Sequence, residues 1–330
     1  MSDPAGRPIT LADVARRAGT STAVVSYVMN DGPRPVAAAT RERVLAAAAE
    51  LGYRPNRIAR ALRSRTTGVV GLVLADALNP YFGALARHVE QALAGHERLM
   101  LIGNAGYSAE RERQLVERFL AAQVDGLVIA SADAGDDVTV PARAARVPAV
   151  YLHNGSTTGD TPLVTADNEQ AVREALAHLR AHGHRDVAFL AGPQDTGPVG
   201  RRREVWQAAA GSSAVLLRSD YSRAAADVLI RRLAAADAVP RALIAATDEQ
   251  AIGVLSGAYA AGLPVPGRLA VIALDGTPDG AHTAPSLTVT GQPLQAMAQQ
   301  AVDLLFDPAT PSLPARAALV RRRSCGCEEG

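Results

Sequence analysis

ITLADVARRAGTSTAVVSYVMN, residues 9–30, holds two helical patterns that meet at a single glycine. Leu11, Val14, Ala15 and Ala18 recur at i, i+3, i+4 and i+7, one apolar stripe of a helix, and Thr10 ahead of them is placed to cap it. Asp13 falls in the first turn, facing the positive end of the helix dipole. Gly19 permits a reversal, Ser21 is placed to cap the next helix, and Val25, Val28 and Met29 mark that helix's inner side. Its outer side is left to Thr22, Ala23, Ser26, Tyr27 and Asn30, small or polar groups of the kind that touch base edges in a major groove. The stretch therefore reads as a helix-turn-helix, with a plain helical hairpin as the alternative. Its candidate DNA contacts are Thr10, Ser21, Thr22, Ala23, Ser26, Tyr27 and Asn30.

Beyond it, Val44, Leu45, Ala48 and Leu51 mark a third amphipathic helix, which Pro55 is expected to end. LADVA (11–15), VSYVMN (25–30), TRERV (40–44), LGYRPN (51–56) and NPYF (79–82) then occur in an order that resembles the lactose-repressor (LacI/GalR) family of bacterial transcription regulators. The resemblance extends over nearly the whole chain. It implies an all-α helix-turn-helix head-piece, a hinge helix, and an α/β two-lobed domain of the periplasmic-binding-protein type I kind. The implied protein is a cytoplasmic, homodimeric regulator, a repressor on a near-palindromic operator, with tetramers as a further possibility. Its operator affinity would answer to a small-molecule effector such as a sugar or sugar derivative. The rival readings are a periplasmic-type solute-binding protein and a regulator of the same family that responds to a non-sugar metabolite.

Charge divides along the chain in the same sense. Residues 1–67 carry 11 arginines against 5 acidic residues, whereas the remainder carries 23 against 28. Positive charge sits where phosphates are to be approached, and an acidic remainder opposes indiscriminate adhesion to DNA. The chain contains no lysine, which excludes a Walker-type phosphate loop and Schiff-base chemistry. No apolar run approaches membrane-spanning length, and the N-terminus, with Asp3 and Pro4, lacks the pattern of a signal peptide, so a cytoplasmic location is expected.

The expected domains are 1–54 for the helix-turn-helix, 55–67 for hinge helix and linker, and 68–330 for effector binding and dimerisation. In the hinge, Ile58 and Leu62 fall at i and i+4 among Arg57, Arg60 and Arg63. So short a helix is marginal in water and needs a partner surface to fold. By resemblance that surface is the DNA minor groove together with a second subunit's hinge, with Leu62 as the wedge between base steps; Asn56, Arg57 and Ala59 join it as candidate DNA contacts.

From Gly68 onward, apolar runs alternate with amphipathic helices, the mark of a parallel sheet covered on both faces. Strands are predicted over 69–74, 99–103, 126–130 and 149–153, then 187–191, 214–218, 242–246 and 270–274. The helices between them are predicted over 81–94, 109–122 and 138–145, then 168–181, 200–210, 223–236 and 250–261. A last helix over 294–306 is expected to return to the first lobe. In such folds ligands bind at the carboxyl ends of the strands. The candidate effector residues there are Asn79, Tyr81, Phe82, His153, Arg202, Tyr221, Asp248 and Asp275. The resemblance gives Arg202 and Asp248 to ligand hydroxyls and Tyr221 to the apolar face of a sugar ring. The chain departs from the family at His153 and Asn154, where an acidic residue is usual, and at Val205, where glycine is usual.

Cys325 and Cys327, one residue apart, suit neither an ordinary disulfide nor the usual zinc-site spacing and read as free thiols on a surface tail. His178 and His182 are spaced to share a metal, but residues beside Gly183 at a helix end also suit histidines meeting terminal carbonyls. No metal, cofactor or catalytic residue is expected, since neither a Ser-His-Asp order nor a paired-carboxylate motif stands out, and the chain reads as a non-enzyme.

Overall fold

In a computed structural model the chain divides into two compact units, Met1–Thr67 and Gly68–Gly330. Residues 9–29, 34–54, 66–131, 137–156, 159–194, 197–210 and 215–328 are described.

The first unit packs α1 (Leu11–Ala18), α2 (Thr22–Met29) and α3 (Ala38–Leu51) around Val14, Val25, Val28 and Val44, all fully or almost fully buried. Leu11, Met29, Leu51 and Tyr53 close over this core. The cap of α1 is a reciprocal box between Thr10, the expected N-cap, and Asp13. Thr10 donates its backbone N–H and its hydroxyl to the Asp13 carboxylate, at 3.0 and 2.6 Å, which supplies the returning half of the box. Ser21 caps α2 as expected, accepting from the Val24 N–H at 3.3 Å. Gly19 turns the chain at φ +62°, which lets the Thr20 N–H reach the Ala15 carbonyl. Two expectations fail in α3. Leu45 points outward, 46% exposed, and the helix ends at the left-handed Gly52 rather than at Pro55.

The second unit holds two α/β lobes. In the first, β1 (Val69–Leu74), β2 (Leu99–Asn104), β3 (Gly126–Ala130), β4 (Ala149–Leu152) and β5 (Leu163–Val164) form one sheet in the order β2-β1-β3-β4-β5. All its pairings are parallel. Helices α4 (Pro80–Gly95), α5 (Ala109–Ala121) and α6 (Val140–Ala144) cover it. In the second lobe, β6 (Ala188–Ala191), β7 (Leu216–Arg218), β8 (Ala242–Ala245), β9 (Ala270–Ala273), β10 (Thr288–Gly291) and β11 (Ala318–Val320) follow the order β11-β10-β9-β8-β6-β7. Among the described residues of this sheet, only β11 runs antiparallel to its neighbour. Its helices are α7 (Asn168–Ala181), α8 (Gly197–Ala210), α9 (Arg223–Ala235) and α10 (Asp248–Ala260).

Helix α11 (Leu294–Phe306) returns to the first lobe, where Met297, Ala301 and Leu305 share one buried cluster with Leu85 and Val89 of α4. Strand order reverses between β1 and β3 in one sheet and between β6 and β8 in the other, the kind of switch point at which open α/β sheets bind ligands. Among the described residues, no helix is long and apolar enough to cross a membrane.

Candidate functional site

Loops from the carboxyl ends of both sheets converge on one cleft. Its inner chamber, about 50 Å³, is lined by Asn79, Tyr81, Phe82, His153, Arg202, Tyr221 and Asp275, seven of the eight effector candidates. Tyr107, Pro198, Val199 and Thr247 complete the wall. An outer vestibule of about 550 Å³ continues from it, bordered by Asp76, Glu112, Gln194 and Asp220. Tyr107 from the first lobe and Tyr221 from the second border both spaces. Tyr221 lies against bare Gly192, where a Cβ would stand 2.0 Å from its hydroxyl oxygen. A larger groove of about 750 Å³ beside α9 lies open to solvent, away from these buried polar groups.

Arg202 is the electrostatic centre of the chamber. One turn later on α8, Trp206 is buried, stacks on Phe189 at 5.5 Å and donates its indole N–H to the Val187 carbonyl, which fixes the helix against its sheet. That anchorage holds the buried Arg202 guanidinium over the ends of β8 and β9. Its Nε donates to Asn168 Oδ1 at 2.7 Å, and its Nη1 donates to the Ala246 carbonyl and, at 3.1 Å, to Asp275 Oδ1. Nη2 is buried and finds no hydrogen-bond partner among the described residues. Since Asp275 neutralises the cation, the chamber offers an unused N–H donor without a net positive charge.

On the facing lobe, the Tyr81 hydroxyl donates to Gln292 Oε1 at 2.8 Å and lies 2.8 Å from His153 Nδ1. With that proton committed, His153 carries its own on Nδ1 and keeps Nε2 as an acceptor. Burial, helped by the positive Arg202, pushes the His153 pKa down to about 3, so the ring is neutral at physiological pH. Its backbone is left-handed at φ +75°, a strained conformation for a non-glycine residue and typical of functional loops. Burial and the nearby Asp275 carboxylate raise the Tyr81 phenol well above its usual range, which keeps it protonated. Asn79 caps α4 by accepting from the Tyr81 N–H, and its amide donates to the Tyr107 hydroxyl at 3.2 Å.

The eighth candidate, Asp248, is a correction. Its carboxylate is buried behind the chamber and accepts from the Thr277 N–H and hydroxyl at 2.6 and 2.7 Å and from the Asp275 N–H at 3.3 Å. These bonds tie the start of α10 to the loop that presents Asp275, so Asp248 positions a wall residue instead of facing the cavity. Burial and the neighbouring Asp275 charge raise its pKa to about 6. Thr247, which does line the chamber, precedes it directly in sequence. Tyr107 escaped the sequence reading because an aromatic in a strand-to-helix loop has no periodicity to flag it.

In the first unit, Thr10, Ser21, Thr22 and Ala23 are exposed and Ser26 and Tyr27 half-buried. The buried inner face of α2 is Val25 and Val28, and Tyr27 is not among the residues packed on that core. Asn30, Asn56, Arg57, Ala59 and Leu62 lie outside the described residues.

Comparison with known proteins gives this arrangement its family. Residues 10–56 match the model of bacterial regulatory proteins, lacI family, and residues 176–325 match that of the periplasmic binding protein-like domain. Catabolite control protein A of Priestia megaterium is 32% identical over 305 residues, covering 90% of this chain and 91% of that one. The chain belongs to the lacI family. It is accordingly a DNA-binding transcriptional regulator with an effector-binding α/β domain. A crystal structure of the lac repressor dimer bound to operator and the anti-inducer ONPF matches 97% of this lacI-family chain and 99% of its own, with a TM-score of 0.85 at 27% identity. The complex of the regulator CelR with cellobiose covers 96% of this chain and 99% of its own, at a TM-score of 0.67 and 29% identity.

Proposed function

We propose that this regulator is a cytoplasmic homodimeric repressor whose operator affinity is set by a neutral, polyhydroxylated effector of the sugar class held in the cleft. The observation that carries the effector class is the neutralised Arg202–Asp275 pair with its unused Nη2 donor, inside walls of Phe82, Tyr107 and Tyr221. Paired guanidinium and carboxylate groups, with the neutral His153 Nε2 and the Thr247 hydroxyl, suit vicinal hydroxyls; aromatic faces suit the apolar side of a pyranose. A phosphorylated effector would find no free cation in the chamber to answer its charge. Since about 50 Å³ holds no more than a few waters, the effector enters by parting Tyr107 from Tyr221 or the lobes from each other.

In this reading the outer face of α2 reads the operator through Thr22, Ala23, Ser26 and Tyr27, and Thr10, Ser21 and Asn30 join them as DNA contacts. The hinge residues Asn56, Arg57, Ala59 and Leu62 engage the minor groove. Exposed apolar side chains at Leu99, Leu101 and Ile102 of the edge strand β2, and at Tyr259 of α10, supply surface for a second subunit. The protein acts by binding and catalyses nothing. Calorimetry with the intact protein tests the effector class: a neutral mono- or disaccharide binds, and Arg202→Met abolishes the heat. Binding of phosphorylated sugars alone would overturn it.

A further inference from the structure

The far end of α7 carries a cluster that the effector cleft does not use. His178 and the cap residue His182 stand one turn apart, with ring centroids 4.8 Å from each other. Cys325 closes the 3-10 turn Arg323–Cys325, and left-handed Gly326, at φ +101°, turns the chain so that Cys327 returns to the same side. Contrary to a free surface tail, Cys325 is buried in the core of the second lobe and Cys327 packs against that core. Nε2 of His178 lies 3.3 Å from Cys325 Sγ and 3.4 Å from Cys327 Sγ; Nε2 of His182 lies 3.3 Å from Cys327 Sγ. All four ligand atoms fall within 4.8 Å of one another.

We propose that His178, His182, Cys325 and Cys327 form a structural Cys2His2 site for zinc or a like divalent ion, which clamps the C-terminal segment to the end of α7. Zinc at about 2.3 Å from sulfur and about 2.0 Å from nitrogen holds tetrahedral S···N pairs about 3.5 Å apart. The observed S···N contacts already approach that separation, and the widest pair has no more than about 1.5 Å to close. Two thiolates and two imidazoles are the donor set that selects zinc over hard cations, and four protein ligands leave no open position for catalysis. The Thr288 hydroxyl donates to Cys325 Sγ at 3.0 Å, the outer hydrogen bond that a metal thiolate draws on. Binding releases the two thiol protons. The Cys-x-Cys spacing concealed the site because its other ligands are distant in sequence, 147 residues from Cys325 in the case of His178.

The test uses untagged full-length protein expressed with zinc in the medium. Elemental analysis after exhaustive dialysis should find one zinc per chain. Cobalt(II) added to the chelator-stripped protein should give intense visible ligand-field bands and near-ultraviolet thiolate-to-cobalt charge transfer. Cys327→Ser and His182→Gln change residues that are not fully buried, so both variants should fold, keep operator binding and lose the metal. In wild type, zinc at a hundredfold excess over its Kd should raise the Tm by about 5–10 °C, and in the variants it should not. Wild type that retains no zinc, gives no thiolate-to-cobalt band and shows no metal-dependent Tm overturns the proposal. So does a Cys327→Ser variant that holds zinc as tightly as wild type.

Discussion

Replacing Arg202 by methionine tests the charge balance of the cleft. Methionine fills much of the same volume but leaves the buried Asn168 Oδ1, Ala246 carbonyl and Asp275 Oδ1 without their shared donor. Stranding one member of a buried ion pair typically costs about 3–5 kcal/mol. Asp275 keeps bonds from Gln292 Nε2 at 3.2 Å and from the Asp248 N–H at 3.0 Å, which places the expected cost at the lower end, about 3 kcal/mol. For a unit of this size that corresponds to a Tm lowered by about 6–12 °C. The double variant Arg202→Met/Asp275→Asn removes the unpaired charge and should recover at least half of the loss. Differential scanning calorimetry of the full chain, following the transition of the α/β unit, reads both values. A single variant within about 1 kcal/mol of wild type, or a double variant with strictly additive losses, would refute the idea that Arg202 and Asp275 form one neutral unit.

Other expectations follow from the same geometry. His153, neutral when folded with a pKa near 3 against about 6.5 unfolded, takes up its proton only on unfolding between those values, so stability is full above pH 6.5 and falls as the pH drops below it. Between pH 7.5 and 5.5 its contribution to the loss is about 1.4 kcal/mol, and His153→Gln should flatten the urea-unfolding profile over that interval. Tyr27→Arg should add a guanine preference beneath it, since arginine grips guanine O6 and N7 together for about 1–3 kcal/mol of discrimination and tyrosine does not. Binding selection on a randomised half-site with both proteins decides this, and identical preferences would show that Tyr27 does not read bases. Leu62→Ala should leave the thermal transition of the protein unchanged but weaken operator binding and remove the DNA bend, read by gel phasing; an unaltered bend would count against a leucine wedge.

The sequence carried most of the architecture because period is a strong signal. Helices α7 and α11 were read to the residue, as were strands β1 and β3, where continuous apolar runs are bounded by glycine and polar turns. Short edge strands escaped: β5 has two residues, and β11 alternates too briefly to separate from coil. Site residues at strand ends were legible as positions but not as orientations. Asp248 and Thr247 are adjacent in sequence, yet only the hydrogen bonds from Thr277 decide which of them faces the cavity. Cys325 was misread for a related reason, because burial of a chain end depends on a partner helix far away in sequence.

The central claim is that one ligand in the cleft changes the grip of the helix-turn-helix on DNA. Fluorescence anisotropy of the intact protein on a selected operator, titrated with and without a panel of neutral mono- and disaccharides and their phosphorylated forms, measures it directly. The account predicts that a neutral sugar moves the operator midpoint by about 5–150-fold, that operator DNA changes the affinity for that sugar by the same factor, and that Arg202→Met abolishes both shifts. An operator midpoint indifferent to every neutral sugar, or one moved only by the phosphorylated forms, would contradict it.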